Sequence, residues 1–318
     1  MKHRNGDYIF LRVIGLTSLF ILLIFVLLLV NLIVFSWPSV KKFGFSFLWN
    51  NQWNPVTQEF GARTAILGTL FTSILSIFFA VPLSLGVAFL TDRLSPSKLG
   101  LVLSRVLELM AGIPSIVYGI WGLFVLLPLV QKIQLKLLKF FFLFEDTIIF
   151  SEKRTFFSCL KPIISFFLKS IPTGSSIFAA SLILAIMIVP LISSVIRDVL
   201  GSVPEMIKEA ALGMGVTNWE MSRKIIIPYA APGIFGAIIL GFGRALGETM
   251  AVTFVIGNVH ALKGLFMPGI TISTSIANEF NEALGDIYPS ALVETGLILF
   301  LVTFITLIAA RSILKRYY

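Results

Sequence analysis

Residues 202–250 read SVPEMIKEAALGMGVTNWEMSRKIIIPYAAPGIFGAIILGFGRALGETM. A polar stretch with two helix-start patterns leads into an apolar run, and the run carries Arg244 and Glu248. Ser202-x-x-Glu205 and Thr217-x-x-Glu220 each have the form of a capping box, in which side chains satisfy the free N–H groups of a first helical turn. Pro204 is compatible with a first turn. The first helix is expected to run through Lys208, Glu209, Ala210 and Ala211. It is expected to stop at Gly213 and Gly215, because glycine accepts the left-handed conformation of a C-terminal cap. The second is expected from Trp219 to Ile226, with Pro228 marking the turn into the apolar run. The pattern predicts a helical hairpin, 202–228, held against a membrane face.

Working outward, apolar runs recur at about 8–37, 64–91, 105–130, 175–196, 229–256 and 289–310. Each is long enough to cross a hydrocarbon core of about 30 Å, with some tilt. The 318-residue chain is 57% hydrophobic and 13% charged, whereas soluble domains carry about 25% charged residues. The expectation is an all-α polytopic integral membrane protein with six transmembrane helices, forming a single transmembrane domain over 1–318. Lys2, His3 and Arg4 precede the first run, as in a secretory signal. That run is longer than a signal's apolar core of about 7–15 residues and lacks a small-x-small cleavage site, so it reads as a retained span.

The net charge of +9 has a topological pattern. Lys2, Arg4 and Arg12 flank the first run, Arg93, Lys98 and Arg105 lie between the second and third, and Arg197, Lys208, Arg223 and Lys224 between the fourth and fifth. Arg311, Lys315 and Arg316 follow the sixth. All fall on one side, which the positive-inside rule makes cytoplasmic, with both termini and the hairpin. Membrane orientation therefore accounts for the basic balance, and no nucleic-acid partner is expected. The long extracytoplasmic loop, 131–174, is basic as well, but long loops escape the rule. Within it, QKIQLKLLKFFFLFED (131–146) reads as an amphipathic helix lying on membrane lipid, with a seventh crossing as the alternative. The single cysteine, Cys159, and two distant histidines, His3 and His260, offer no metal-ligand cluster, and no cofactor is expected. No Gly-Lys pair occurs, so the chain has no phosphate-binding loop for ATP.

Arg244 and Glu248 are spaced i, i+4, which on one helix puts them on one face. A charge at mid-membrane costs about 2.5–3.5 kcal/mol or more unless paired or wet. A mutual ion pair is expected, either as a structural salt bridge or as a switchable contact at an anion site. Arginine suits the second role because its planar fork can donate two hydrogen bonds to an oxyanion. Gly243 and Gly247 form a G-x-x-x-G step that permits close helix packing. Gly112, Pro114 and Gly119 interrupt the third run, as a kink, a packing site or a discontinuous helix. Glu108 and Glu294 are expected to reach interfacial water. Glu279, Glu282 and Asp286 read as a solvated acidic loop, and Trp37, Trp49 and Trp53 as an interfacial belt.

Glu209-Ala210-Ala211, three residues, Gly215, nine residues, then Ile225-x-Ile227-Pro228 resembles the EAA signature of bacterial ABC importer permeases, with Ile227 in place of leucine. Asn54-Pro55, Phe60-Gly61-Ala62, Gly68-Thr69-Leu70, Ala111-Gly112-Ile113-Pro114-Ser115, Val117-Tyr118-Gly119 and the run from Gly243 to Val252 resemble the PstC type of phosphate permease within that family. The resemblance covers nearly the whole chain. It implies a transport subunit, not an enzyme, in the bacterial inner membrane. ATP would be hydrolysed by a separate ATP-binding subunit dimer docked on the hairpin through Glu209, Ala210, Ala211, Gly215 and Pro228. The other implied partners are a second permease subunit of the PstA type, a periplasmic phosphate-binding protein, and inorganic phosphate passing Arg244 and Glu248 by alternating access. Neighbouring readings are a permease for another oxyanion, molybdate or sulfate, and a passive anion channel.

Overall fold

The computed structural model describes residues 3–93, 98–136, 139 and 173–314. Helices account for the architecture, and the described residues contain no strand beyond one isolated antiparallel bridge, Asn54 to Glu59. In order they are α1 (His3–Phe43), α2 (Ser46–Trp49), α3 (Arg63–Arg93), α4 (Lys98–Ala111) and α5 (Ser115–Lys136). Then come α6 (Ile177–Gly201), α7 (Glu205–Gly213), α8 (Asn218–Gly247), α9 (Met250–Ile256), α10 (Ile272–Glu279) and α11 (Ile287–Leu314). Six of them, α1, α3, α5, α6, α8 and α11, are long and apolar enough to cross a membrane. The all-α, six-span expectation therefore holds. The proposed surface helix over 131–146 lies outside the described residues beyond its first turn, where Gln131 to Lys136 continue α5.

The bundle is built around α6, the most deeply buried span. It packs against α3 and α8, while α1 lies at the edge against α11 with its apolar surface open. Lipid tails are as apolar as leucine, so burial against protein gains packing rather than escape from water. Close approach then depends on small residues. On α3, Ser76, Ala80, Ser84 and Ala88 form a fully buried stripe at helical spacing. Ser84 Oγ donates to the Val189 carbonyl of α6 at 3.3 Å, beside Pro190, which lies inside that helix. On α8, a Cβ at Gly241 would lie 2.5 Å from Ile192.

Several spans differ from the sequence boundaries. The third does not begin at residue 105: α4 ends at Ala111, the chain breaks over Gly112 to Pro114, and α5 begins at Ser115. Pro114 sits at the N-cap with extended ψ of 140°, because proline cannot supply the N–H a continuing helix needs. The fourth extends to Gly201. The fifth also departs from expectation, because Pro228 makes no turn. The chain runs through it, from Asn218 into α8, by way of a π turn at Ser222–Ile226 in which Ile227 N–H donates to the Ser222 carbonyl. A proline ring collides with the carbonyl four residues earlier in a regular helix, and a widened turn makes room for it. The same device recurs in α5, where a π turn at Gly122–Leu126 precedes Pro128.

Candidate functional site

Arg244 and Glu248 do not share a helix face. α8 ends at Gly247; Glu248 takes an extended conformation (φ −70°, ψ 131°) and α9 restarts at Met250. No ion pair joins the two side chains among the described residues. Glu248 Oε1 instead accepts from the Ala251 N–H at 3.3 Å, capping the restarted helix. The expected mutual pair is thus replaced by a break, because leaving the helix lets the carboxylate satisfy a backbone donor that the break exposes. Arg244 is left exposed on the surface of the chain. Irregular backbone and a free guanidinium at membrane depth belong where water or another protein chain meets the bundle, not lipid.

The break in the fifth span lies beside the break in the third. α9 packs on α5, and Gly119 makes the contact possible: a Cβ there would sit 2.7 Å from the Phe254 ring and 3.1 Å from Ala251 Cα. Tyr118 spans the break in the third span. Its hydroxyl donates to the Met110 carbonyl at 2.8 Å, across the α4–α5 gap. Tyr118 entered the sequence reading only within the Val117-Tyr118-Gly119 motif, and nothing local foretold its bond across the break. Gly243 and Gly247 have nothing within 4 Å of a built Cβ, so the expected close packing is absent inside this chain and both present open surface.

The hairpin forms at one end of the bundle. Its second capping box is present in full: Thr217 Oγ1 accepts from Glu220 N–H, and Glu220 accepts from Thr217 N–H. The first is not. Ser202 closes α6, its hydroxyl donating to Val199 O at 2.7 Å, and Pro204 is the N-cap of α7 with no side-chain bond. The serine is consumed because α6 runs to Gly201 and its last carbonyls need donors. α7 ends in a Schellman cap: Gly215 (φ +76°) donates to Leu212 O at 2.9 Å and Val216 to Ala211 O at 3.4 Å. Ala211 is buried against the body of the bundle. Glu209 and Ala210 face outward. Beside them Met206, Met214 and Trp219 are each more than 70% exposed. Three large apolar side chains thus stand open on a polar hairpin.

At the opposite end the acidic loop is not a solvated face. Glu279, at the end of α10, is half-buried and collects four hydrogen bonds. Trp53 Nε1 and Tyr288 Oη donate to its Oε2, at 2.5 and 2.6 Å, and His260 Nε2 and Ser275 Oγ meet its Oε1, at 2.6 and 3.2 Å. The His260 ring stacks on Trp53 at 4.8 Å. Burial pushes the Glu279 carboxyl up, but the bonds from His260, Tyr288 and Trp53 outweigh it and hold the group below its ordinary range. Glu282 and Asp286 are exposed, as expected. Trp37 and Trp49 are exposed in keeping with a belt, whereas Trp53 is packed into this cluster. Glu294 does not reach water: it is 6% exposed, with Oε2 unpartnered, between α11 and α1. Glu108 does, and lies 3.9 Å from Arg197.

Six spans, two discontinuous helices on one wall and an apolar-patched hairpin define a membrane transport subunit rather than a receptor or an anchor. A family described as binding-protein-dependent transport system inner membrane component matches residues 80–317. Relatives named phosphate transport system permease protein PstC align with most of the chain. That of Pasteurella multocida is 43% identical over 99% of this chain and 94% of its own length. Those of Mesorhizobium japonicum and Haemophilus influenzae are 46% and 45% identical, over 90% and 94% of this chain and 83% and 91% of theirs. Among solved structures, an inward-facing MetNI methionine ABC transporter chain superposes with a TM-score of 0.55 at 18% identity, covering 80% of this chain and 94% of that one, a likeness of fold. The chain belongs to the binding-protein-dependent transport inner membrane components, and within them to the PstC phosphate permeases.

Proposed function

We propose that this chain is a permease subunit of an ATP-driven importer of inorganic phosphate. The observation that carries the reading is the nearly full-length identity to PstC permeases. The hairpin face supports the coupling part of it. Met206, Met214 and Trp219, with Glu209 and Ala210 beside them, offer a motor subunit an apolar patch edged with charge. A rigid Schellman-capped turn and a second helix continuous with α8 can pass a push on the hairpin directly to the break at Glu248. The open surface at Gly243, Arg244 and Gly247 suits a second permease subunit, so that Arg244 lies on a path between the two. There the guanidinium steers or contacts the oxyanion, and Glu248 sets its availability as the break opens and closes.

In this reading the whole chain forms one transmembrane domain with hairpin and termini in the cytoplasm. The Glu279 cluster then faces the periplasm, where a phosphate-binding protein delivers the ion, and an ATPase dimer works from inside. The test is ATP-dependent uptake of labelled phosphate into vesicles holding this chain with its co-expressed subunits, with sulfate and molybdate as competitors. Selective phosphate uptake that vanishes without the ATPase is expected. Uptake of another oxyanion overturns the substrate, and uptake without ATP overturns the coupling.

A further inference from the structure

A cavity of about 290 Å³ opens at the end of the bundle away from the hairpin, apart from the Arg244 break and beside the Glu279 cluster, with which it shares His260. Three separate stretches of chain build it. Asn51 comes from the segment before α3, Arg63 and Thr64 from the first turn of α3, and His260 and Lys263 from the loop after α9. The lining contains no carboxylate. Arg63 and Lys263 are exposed and join no ion pair among the described residues. Two cations thus line one cavity, and the neighbouring carboxylate, Glu279, lies behind His260 and is occupied by its own four hydrogen bonds.

The neutral groups point the same way. Thr64 is 5% exposed, and its Oγ1 has no hydrogen-bond partner. A buried hydroxyl left unpaired is destabilising, so its position calls for an acceptor or donor that the chain does not provide. It sits at the N-terminus of a 31-residue helix, where free N–H groups and the helix dipole favour an anion. His260 is held in place by the Glu279 bond through Nε2 and by the Trp53 stack, while its Nδ1 is buried and unpartnered. A carboxylate only accepts, so Nε2 carries the proton toward Glu279. Nδ1 is then either a bare acceptor for a P–OH proton or, in imidazolium, a further donor. An anion that both accepts several hydrogen bonds and donates one fits this set; inorganic phosphate at neutral pH is such an anion.

We infer that this cavity is a second phosphate subsite, at the periplasmic mouth, that holds inorganic phosphate before it reaches Arg244. The inference rests on the proposed function for its cargo, but its ligand chemistry stands apart. Arg63 and Lys263 supply the charge, Thr64 and the α3 N-terminus the neutral donors, and His260 discriminates for a protonated oxyanion. A phospholipid headgroup presents the same phosphoryl chemistry, and the test separates the two.

The experiment uses the permease complex in nanodiscs of zwitterionic lipid, with Cys159→Ser removing this chain's own thiol and Asn51→Cys placing a reporter in the cavity wall. The rate at which an anionic thiosulfonate modifies the reporter is measured against inorganic phosphate, without binding protein or ATP. Phosphate is expected to slow modification, and Arg63→Gln or Lys263→Gln to raise the half-protecting concentration about tenfold or more, since each removes a charge-assisted contact. Lys263→Arg is expected to keep protection. No protection by phosphate, or protection indifferent to both glutamine variants, overturns the subsite. Protection that appears only when anionic phospholipid is added assigns the cavity to headgroups and overturns it too. Should Arg63→Gln fail to assemble, Lys263→Gln, on an exposed loop, carries the result. Phosphate protection in a complex that transports another oxyanion sinks the proposed function while leaving the subsite standing.

Discussion

Arg244 and Glu248 are separated by the end of a helix: the first lies in the last turn of α8, the second in extended backbone with its carboxylate on the Ala251 N–H at 3.3 Å. No ion pair joins them in this conformation, so each charge is expected to act by itself. Arg244→Gln is expected to lower phosphate uptake by about tenfold or more, the loss of one charge-assisted contact to the anion. Exchanging the charges, Arg244→Glu with Glu248→Arg, is expected not to restore it. Recovery of uptake in the exchanged protein is the outcome that contradicts this geometry.

Gly215 occupies the left-handed position of the Schellman cap with φ of +76°. A β-branched residue there is strained by about 1–2 kcal/mol. Gly215→Val is expected to distort the turn, reducing both uptake and co-purification of the ATPase, with Gly215→Asn milder. Trp219→Ala, which removes a ring 73% exposed, should weaken ATPase retention with little change in the melting temperature of the chain.

Gly68 and Gly243 make opposite predictions. A Cβ on Gly68 would lie 1.9 Å from the Ile270 carbonyl oxygen, and backbone cannot rotate away. Gly68→Ala is expected to destabilise by about 1–3 kcal/mol, as overpacking does, lowering the thermal transition in detergent. Gly243→Ala meets nothing within 4 Å and should leave that transition unchanged. Gly243→Leu should spare the chain and reduce co-purification of the second permease.

The Glu279 cluster carries a pH signature. Its carboxyl is held below the usual range, so the stabilisation is fully present above the unfolded value of about 4.3 and is lost as pH falls through the lower folded value. Glu279→Gln keeps the shape and drops the charge. The gap in melting temperature between parent and variant should be widest near neutrality and narrow progressively below about pH 4.3. A gap that is constant with pH would mean the charge does not contribute.

Much of the architecture was legible because apolar run length answers directly to bilayer thickness. The Thr217 capping box and the Gly215 stop were legible because they are short-range, decided by hydrogen bonds within one turn. Ser202 failed as a cap for a reason no local pattern contains: α6 reached it first. Pro228 failed as a turn because a π turn absorbed its ring. Glu279 looked like a surface acid because its partners Trp53 and His260 are remote in sequence.

The sequence by itself determined the class of molecule, the number of spans, the hairpin and the identity of the two membrane charges. Those follow from composition and from interactions over a few residues. Only the tertiary structure decided that Arg244 and Glu248 stand apart across a broken helix and that Tyr118 crosses the break in the third span. It alone brought Arg63, Thr64, His260 and Lys263 around one cavity. Each of these arises where segments far apart in the chain compete for the same donors, acceptors and space, and that competition has no trace in any single stretch of sequence.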